Sequence, residues 1–167
     1  MTTKNVVYII PGWGETGEEK RYQKLGAILE AKGYKVKRIK PDWYKTFSEN
    51  VFEPEQNSII IGFSYGACIA YRIAKKYPIQ KVIFCSLSPL SSMSYKQIYS
   101  QHLNYMNTAL SAKNAKDIKS VQISLETLIV PYVTLAGELE KIKTDFLVPK
   151  TGHFMSKNYS NAIVKLV

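Results

Sequence analysis

Cysteine is scarce: the 167-residue chain has two, Cys68 and Cys85. Two cannot build a disulfide framework, and each lies in an apolar run, so both read as buried free thiols. No run approaches the roughly 18–20 consecutive apolar residues that a membrane span needs. The first apolar run, Val6–Ile10, is too short for a signal-peptide core and no small-residue cleavage site follows it, so a cytoplasmic protein is expected. Repeats, low-complexity tracts and linkers are missing. That leaves one domain over residues 1–167, long enough to bury a sizeable core. Acidic residues are also few, 13 against 23 Lys+Arg, for a net charge of +10. Such a charge suits nucleic acid, an anionic membrane or an acidic substrate. The lysines are scattered, however, and no RNP motif, zinc-ligand spacing or basic helix accompanies them. A solvated Lys-rich surface without a nucleic-acid partner is the simpler reading. Histidine is as scarce as cysteine, with His102 and His153 alone.

What is present is an alternation of short apolar runs with helical stretches. Val6–Ile10 reads as a first strand. Thr16 has the form of an N-cap, with Glu19 completing a capping box. Tyr22, Leu25 and Leu29 follow at helical spacing, and Gly33 can end that helix. Residues 35–39 form a second strand whose interleaved Lys and Arg suit a sheet edge. The apolar run 58–62 reads as a central strand. A helix is expected over 65–77, stopped by Pro78. Lys81–Cys85 is a fourth strand. A longer helix is expected over 94–113, with Ser94 and Gln97 as its capping box. Strands at 132–136 and 145–148 and a helix at 160–166 complete the pattern, and 117–125 fits neither class. Strands alternating with helices imply right-handed βαβ units. The expected fold is a doubly wound α/β sandwich of three layers, with a mostly parallel sheet of about six strands.

The most informative segment is Gly62-Phe63-Ser64-Tyr65-Gly66. This G-x-S-x-G lies directly after an apolar strand and directly before a helix. Nucleophilic serine chemistry needs that position, the tip of a sharp strand-to-helix turn. Gly62 and Gly66 leave room where backbone and helix approach closely. The helix N-terminus favours negative charge beside the serine. The bare pattern occurs by chance in roughly one chain in twenty of this length, so the strand–turn–helix context carries the inference.

With these residues in place, the chain resembles the α/β-hydrolase superfamily in a minimal, single-domain form. The resemblance covers nearly the whole chain, and the two N-terminal strands of larger relatives are absent. It implies a serine, an acid and a histidine in that chain order, with Ser64 as nucleophile. It also implies an oxyanion loop after the first strand, here Ile10-Pro11-Gly12-Trp13-Gly14, where the family usually has His-Gly in place of Pro11-Gly12. The backbone N–H groups of Trp13 and Tyr65 are then the expected oxyanion donors. His153, in Thr151-Gly152-His153-Phe154, matches the family's Gly-His before its final helix. His102, inside an expected helix, is the other candidate base. Thr134-Leu135-Ala136-Gly137-Glu138-Leu139-Glu140 resembles the family's Gly-x-x-Asp, which points to Glu140 as the acid. Glu138 stays open as the alternative, with Asp117 and Asp145 behind it. No cofactor and no metal are implied.

Trp13, Ser64, Glu140 and His153 all fall just beyond carboxyl ends of expected strands, where open α/β sheets hold their ligands. The implied activity is cleavage of a small ester, thioester or amide through an acyl-enzyme on Ser64, with a small-molecule acyl substrate. An acyltransferase with the same residues and a catalytically silent binding protein are the alternatives. Residues 87–131 offer the only room for a lid. Met93, Tyr95, Ile98, Tyr99, Tyr105 and Met106 can line an acyl pocket there, although such a stripe is more often core packing. Oligomeric state is not legible.

Overall fold

The computed structural model describes residues 5–87, Asp117 and residues 123–167. Six strands form one sheet: β1 (Val6–Ile10), β2 (Lys35–Arg38), β3 (Ile59–Phe63), β4 (Lys81–Cys85), β5 (Tyr132–Gly137) and β6 (Phe146–Val148). Their spatial order is β2-β1-β3-β4-β5-β6, and every pairing is parallel. Three helices are described: α1 (Lys20–Ala31), α2 (Tyr65–Lys76) and α3 (Lys157–Leu166).

Strand side chains alternate between two buried layers, as a sheet covered on both faces requires. Val7, Ile9, Ile59, Ile61, Phe63, Ile83 and Cys85 join Tyr22, Leu25 and Leu29 of α1 and Tyr159 and Ile163 of α3. Val6, Tyr8, Ile10, Ile60, Val82 and Phe84 face the apolar side of α2. The sheet is thus the middle of three layers. Ile9, Ile60 and Ile61 have no exposed surface, and burying each such side chain contributes about 1.5–3 kcal/mol.

The charged strand lies at an edge, as expected, and its Lys37 reaches Glu55 at 2.7 Å. Gly33 has φ +94° and ends α1, a conformation that an L side chain rarely adopts. Two helix starts differ from expectation. Thr16 does not cap α1, which begins at Lys20 with Glu19 at the N-cap. Glu19 Oε1 instead accepts the Thr16 N–H at 3.2 Å, and Thr16 Oγ1 accepts the Glu18 N–H at 3.3 Å, closing a separate turn before the helix. α3 begins three residues earlier than expected because Ser156 caps it, accepting the Tyr159 N–H at 3.1 Å. The expected helix over 94–113, with Ser94 and Gln97, lies outside the described residues. So do His102 and the six candidate pocket residues between Met93 and Met106.

Candidate active site

β3 ends at Phe63 and α2 begins at Tyr65, so a single residue must turn the chain from strand to helix. Ser64 does this with φ 53° and ψ −119°. A non-glycine residue held there is strained by about 1–3 kcal/mol. The surroundings enforce it. The Ser64 N–H donates to the Cys85 carbonyl at 2.8 Å, and the Ala67 N–H to the Ser64 carbonyl at 3.0 Å. The two motif glycines are required by contact. A Cβ at Gly62 would lie 2.6 Å from the Gly66 carbonyl oxygen, and one at Gly66 would lie 2.3 Å from that of Pro11. The motif therefore packs α2 against both its own strand and the loop after β1.

That loop adjoins the serine: a Cβ at Gly12 would sit 3.5 Å from Ser64 Cβ. The Trp13 ring packs on Tyr65 at 5.5 Å between centroids and on Trp43 at 5.3 Å. Glu15 holds the loop from behind. Its Oε2 accepts the Gly12 N–H at 3.2 Å and the Tyr22 hydroxyl, its Oε1 pairs with Arg21, and its carbonyl accepts the Trp43 indole N–H at 2.7 Å. Burial, with the Glu15 carboxylate second, pushes the Tyr22 hydroxyl far above its usual value, so it stays a donor.

The other side of the site comes from the ends of β5 and β6. A Cβ at Gly137 would lie 2.3 Å from the Thr151 carbonyl oxygen, so the end of β5 and the loop carrying His153 touch backbone to backbone. Leu139 N–H donates to the Thr151 carbonyl at 3.0 Å. Within the 3₁₀ turn Glu138–Glu140, the two glutamates diverge. Glu138 Oε2 accepts the Lys150 N–H at 2.9 Å. Glu140 Oε2 lies 2.6 Å from His153 Nδ1, and His153 Nε2 lies 2.8 Å from Ser64 Oγ.

Glu140 is an ionised acceptor with three donors. Its Oε1 takes the Gly137 N–H at 2.7 Å and the Ser86 hydroxyl at 2.6 Å, and its side chain is 4% exposed. Burial alone would raise its carboxyl, but the hydrogen bonds from His153, Ser86 and Gly137 outweigh it and hold the group below the usual carboxylate value. An ionised carboxylate only accepts, so the Nδ1 proton faces Glu140 and Nε2 is left as the acceptor for the Ser64 hydroxyl.

Ser64, His153 and Glu140 are thus brought into one hydrogen-bonded line, with Trp13 and Tyr65 beside the serine. Two other acids weighed from sequence lie elsewhere. Asp145 accepts from Thr134 N–H and Oγ1, both at 2.8 Å. Asp117 pairs with Arg72 of α2 at 3.3 Å and accepts the Ser48 hydroxyl at 2.5 Å. Ser86, Tyr159 and Glu15 were missed from sequence. Ser86 follows β4 directly, at the same rim of the sheet as the other site residues, and that position is the one signal that could have flagged it. Both thiols are buried and unpaired, and burial raises Cys68 to about 11. Neither competes as a nucleophile at neutral pH. Among the described residues no group of three His, Cys, Asp or Glu is placed to hold a metal ion, and no helix is long and apolar enough to cross a membrane.

No protein-family model matches the chain, and no curated protein matches it by sequence. Solved structures do match in shape. A putative hydrolase from Agrobacterium vitis has a TM-score of 0.70 at 11% identity, over 98% of this chain and 86% of that one. The α/β-hydrolase domain-containing protein 10 from mouse has 0.69 at 11% identity, over 98% and 88%. An esterase from Exiguobacterium antarcticum has 0.62 at 11% identity, over 99% and 91%.

Proposed function

We propose that this chain, an α/β-hydrolase by fold, is a serine hydrolase that cleaves a small carboxylic ester through an acyl-enzyme on Ser64. The observation that carries the reading is the line Ser64 Oγ–His153 Nε2 at 2.8 Å and His153 Nδ1–Glu140 Oε2 at 2.6 Å. It supports a role for each group. His153 takes the Ser64 proton as the oxygen attacks the acyl carbonyl. Glu140 keeps the imidazole in the tautomer that can accept, and stabilises it once charged. The backbone N–H groups of Trp13 and Tyr65 bind the oxyanion, assisted by the N-terminus of α2. His153 returns its proton to the leaving alcohol, then activates the water that frees the acid.

The strained turn at Ser64 fits a nucleophile elbow, which lifts the hydroxyl clear of the strand. The esterase among the shape matches favours esters within the acyl class. Residues 87–131 are, from the sequence, the short insert with room for a lid. Asp117 ties that insert to α2, the helix that starts beside Ser64. Two buried free thiols favour a cytoplasmic setting.

The test is labelling with a fluorophosphonate followed by peptide mapping, alongside hydrolysis of p-nitrophenyl acetate. The label is expected on Ser64, and Ser64→Ala should lose both label and hydrolysis while keeping its circular dichroism. Hydrolysis or labelling that survives Ser64→Ala would overturn the reading.

A further inference from the structure

We infer that Ser86 is a positioning residue for this site: its hydroxyl, itself held by Tyr159, fixes the Glu140 carboxylate that orients His153. The inference rests on the reading of Ser64, His153 and Glu140 given above. Ser86 has no exposed surface and a φ of +50°. A glycine would adopt that conformation without strain, whereas serine is strained there. The backbone bend is locked by the Ser86 N–H, which donates to the Leu135 carbonyl at 2.6 Å. It delivers Oγ to 2.6 Å from Glu140 Oε1 and 2.8 Å from the Tyr159 hydroxyl.

Counting protons gives the chain a direction. Glu140 is ionised and can only accept, so the single Ser86 proton goes to Oε1. Ser86 Oγ then faces Tyr159 with lone pairs alone. The Tyr159 hydroxyl has two acceptors within reach, Ser86 Oγ at 2.8 Å and the Leu135 carbonyl at 2.8 Å. The Leu135 carbonyl already receives the Ser86 N–H, so it loses little when the Tyr159 proton turns to Ser86. The reverse choice would set two lone pairs against each other in a buried space. Tyr159 therefore donates to Ser86, and Ser86 to Glu140. Burial pushes the Tyr159 hydroxyl far above its usual value, which keeps it a donor throughout the working range.

The arrangement has a chemical consequence. Glu140 Oε1 is saturated by Ser86 and by the Gly137 N–H, which leaves Oε2 for His153 alone. Removing the Ser86 hydroxyl leaves the carboxylate with one donor fewer. It then rotates more freely and accepts more strongly from the charged imidazolium. Both effects impair a base that must sit in one orientation and release its proton readily.

The test compares wild type, Ser86→Ala, Tyr159→Phe and the double variant on p-nitrophenyl acetate, with Ser64→Ala as control. Alanine keeps the Cβ and removes only Oγ. Ser86→Ala is expected to lose about tenfold in kcat/KM, in line with one hydrogen bond to a charged group. The acid limb of its pH profile should move to higher pH by a few tenths, and the downfield NMR signal of the His153 Nδ1 proton should shift. A role in folding alone would move neither the limb nor the signal. Tyr159→Phe should produce the same changes at about a third of the size, and the double variant should be no worse than Ser86→Ala, because Tyr159 acts through Ser86. An unshifted limb and signal in Ser86→Ala, with Ser64→Ala inactive, would overturn this inference and leave the nucleophile assignment standing. Activity in Ser64→Ala would sink the underlying reading instead. Should Ser86→Ala not fold, Tyr159→Phe decides alone, and wild-type rate with an unmoved acid limb would count against the inference.

Discussion

Glu138 and Glu140 grip opposite ends of one loop: Glu138 accepts the Lys150 N–H at 2.9 Å, and Glu140 meets the His153 Nδ1 at 2.6 Å. One holds the loop's entrance and the other its chemical group. Their substitutions should separate accordingly. Glu140→Gln is expected to lower kcat by two to four orders of magnitude, because an amide no longer selects the accepting tautomer. Glu138→Gln keeps a side-chain oxygen able to accept from Lys150, so kcat should stay within about threefold and the melting temperature should fall slightly. Steady-state rates on one ester, with circular dichroism of both variants, check this. A large loss in Glu138→Gln alone would exchange the two roles.

The lowered Glu140 carboxyl links the site to acid stability. Its native value lies below its ordinary one, so the unfolded chain binds the proton more readily. The stabilisation is therefore fully present above the unfolded value of about 4.3 and disappears as pH falls through the lower native value. Urea midpoints of wild type and Glu140→Gln should differ at pH 6 and converge as pH drops through 4 towards 3. A gap that widens on acidification would contradict the assigned charge.

Gly137 is where the turn carrying Glu140 and the loop carrying His153 touch. A Cβ there would stand 2.3 Å from the Thr151 carbonyl oxygen and 2.6 Å from that of Gly152. Neither atom belongs to a flexible side chain. Gly137→Ala should destabilise the fold by about 3 kcal/mol and move His153 away from Ser64, so that activity falls further than the folded fraction. Thermal melts and active-site titration together separate the two effects. Normal rates in a fully folded variant would show that the loop has slack.

Chain length of the acyl group should matter only briefly. Each buried CH₂ is worth about 0.8 kcal/mol, or about fourfold in kcat/KM, until the pocket is full. The insert proposed over 87–131 is a short stretch of sequence, so the gain is expected to stop at short acyl chains. A series of p-nitrophenyl esters from acetate to decanoate measures this. Rates that climb through the longest esters would reject a small pocket.

The elements were legible to different depths for physical reasons. β1 and β4 match expectation residue for residue, because an apolar run bounded by charge and turn residues admits few readings. The start of α3 was misjudged because Ser156 is one of several serines, and only its bond to the Tyr159 N–H distinguishes it. The choice of Glu140 over Glu138 came from family spacing, since two glutamates two apart look alike until each finds a partner on the 150–153 loop. Ser86 offers a single weak sign in the sequence, its place directly after β4. Its partners lie 54 and 73 residues away, and an isolated serine after a strand is ordinary. Glu15 likewise reads as one surface charge among several until Tyr22, Arg21 and Gly12 close around it.

Because every strand is parallel, Ser64, Glu140 and His153 each follow a different strand: β3, β5 and β6. Ser64 and His153 are 89 residues apart in the chain. The elements that hold Ser64 in its turn, β1, β3, β4 and α2, all precede His153 in the chain. On the proposed reading, a chain that stopped short of the 150–153 loop would hold the serine without its proton acceptor. The proposed line of groups is therefore completed last, by the loop that meets Gly137, and the order of the sequence would act as a safety catch.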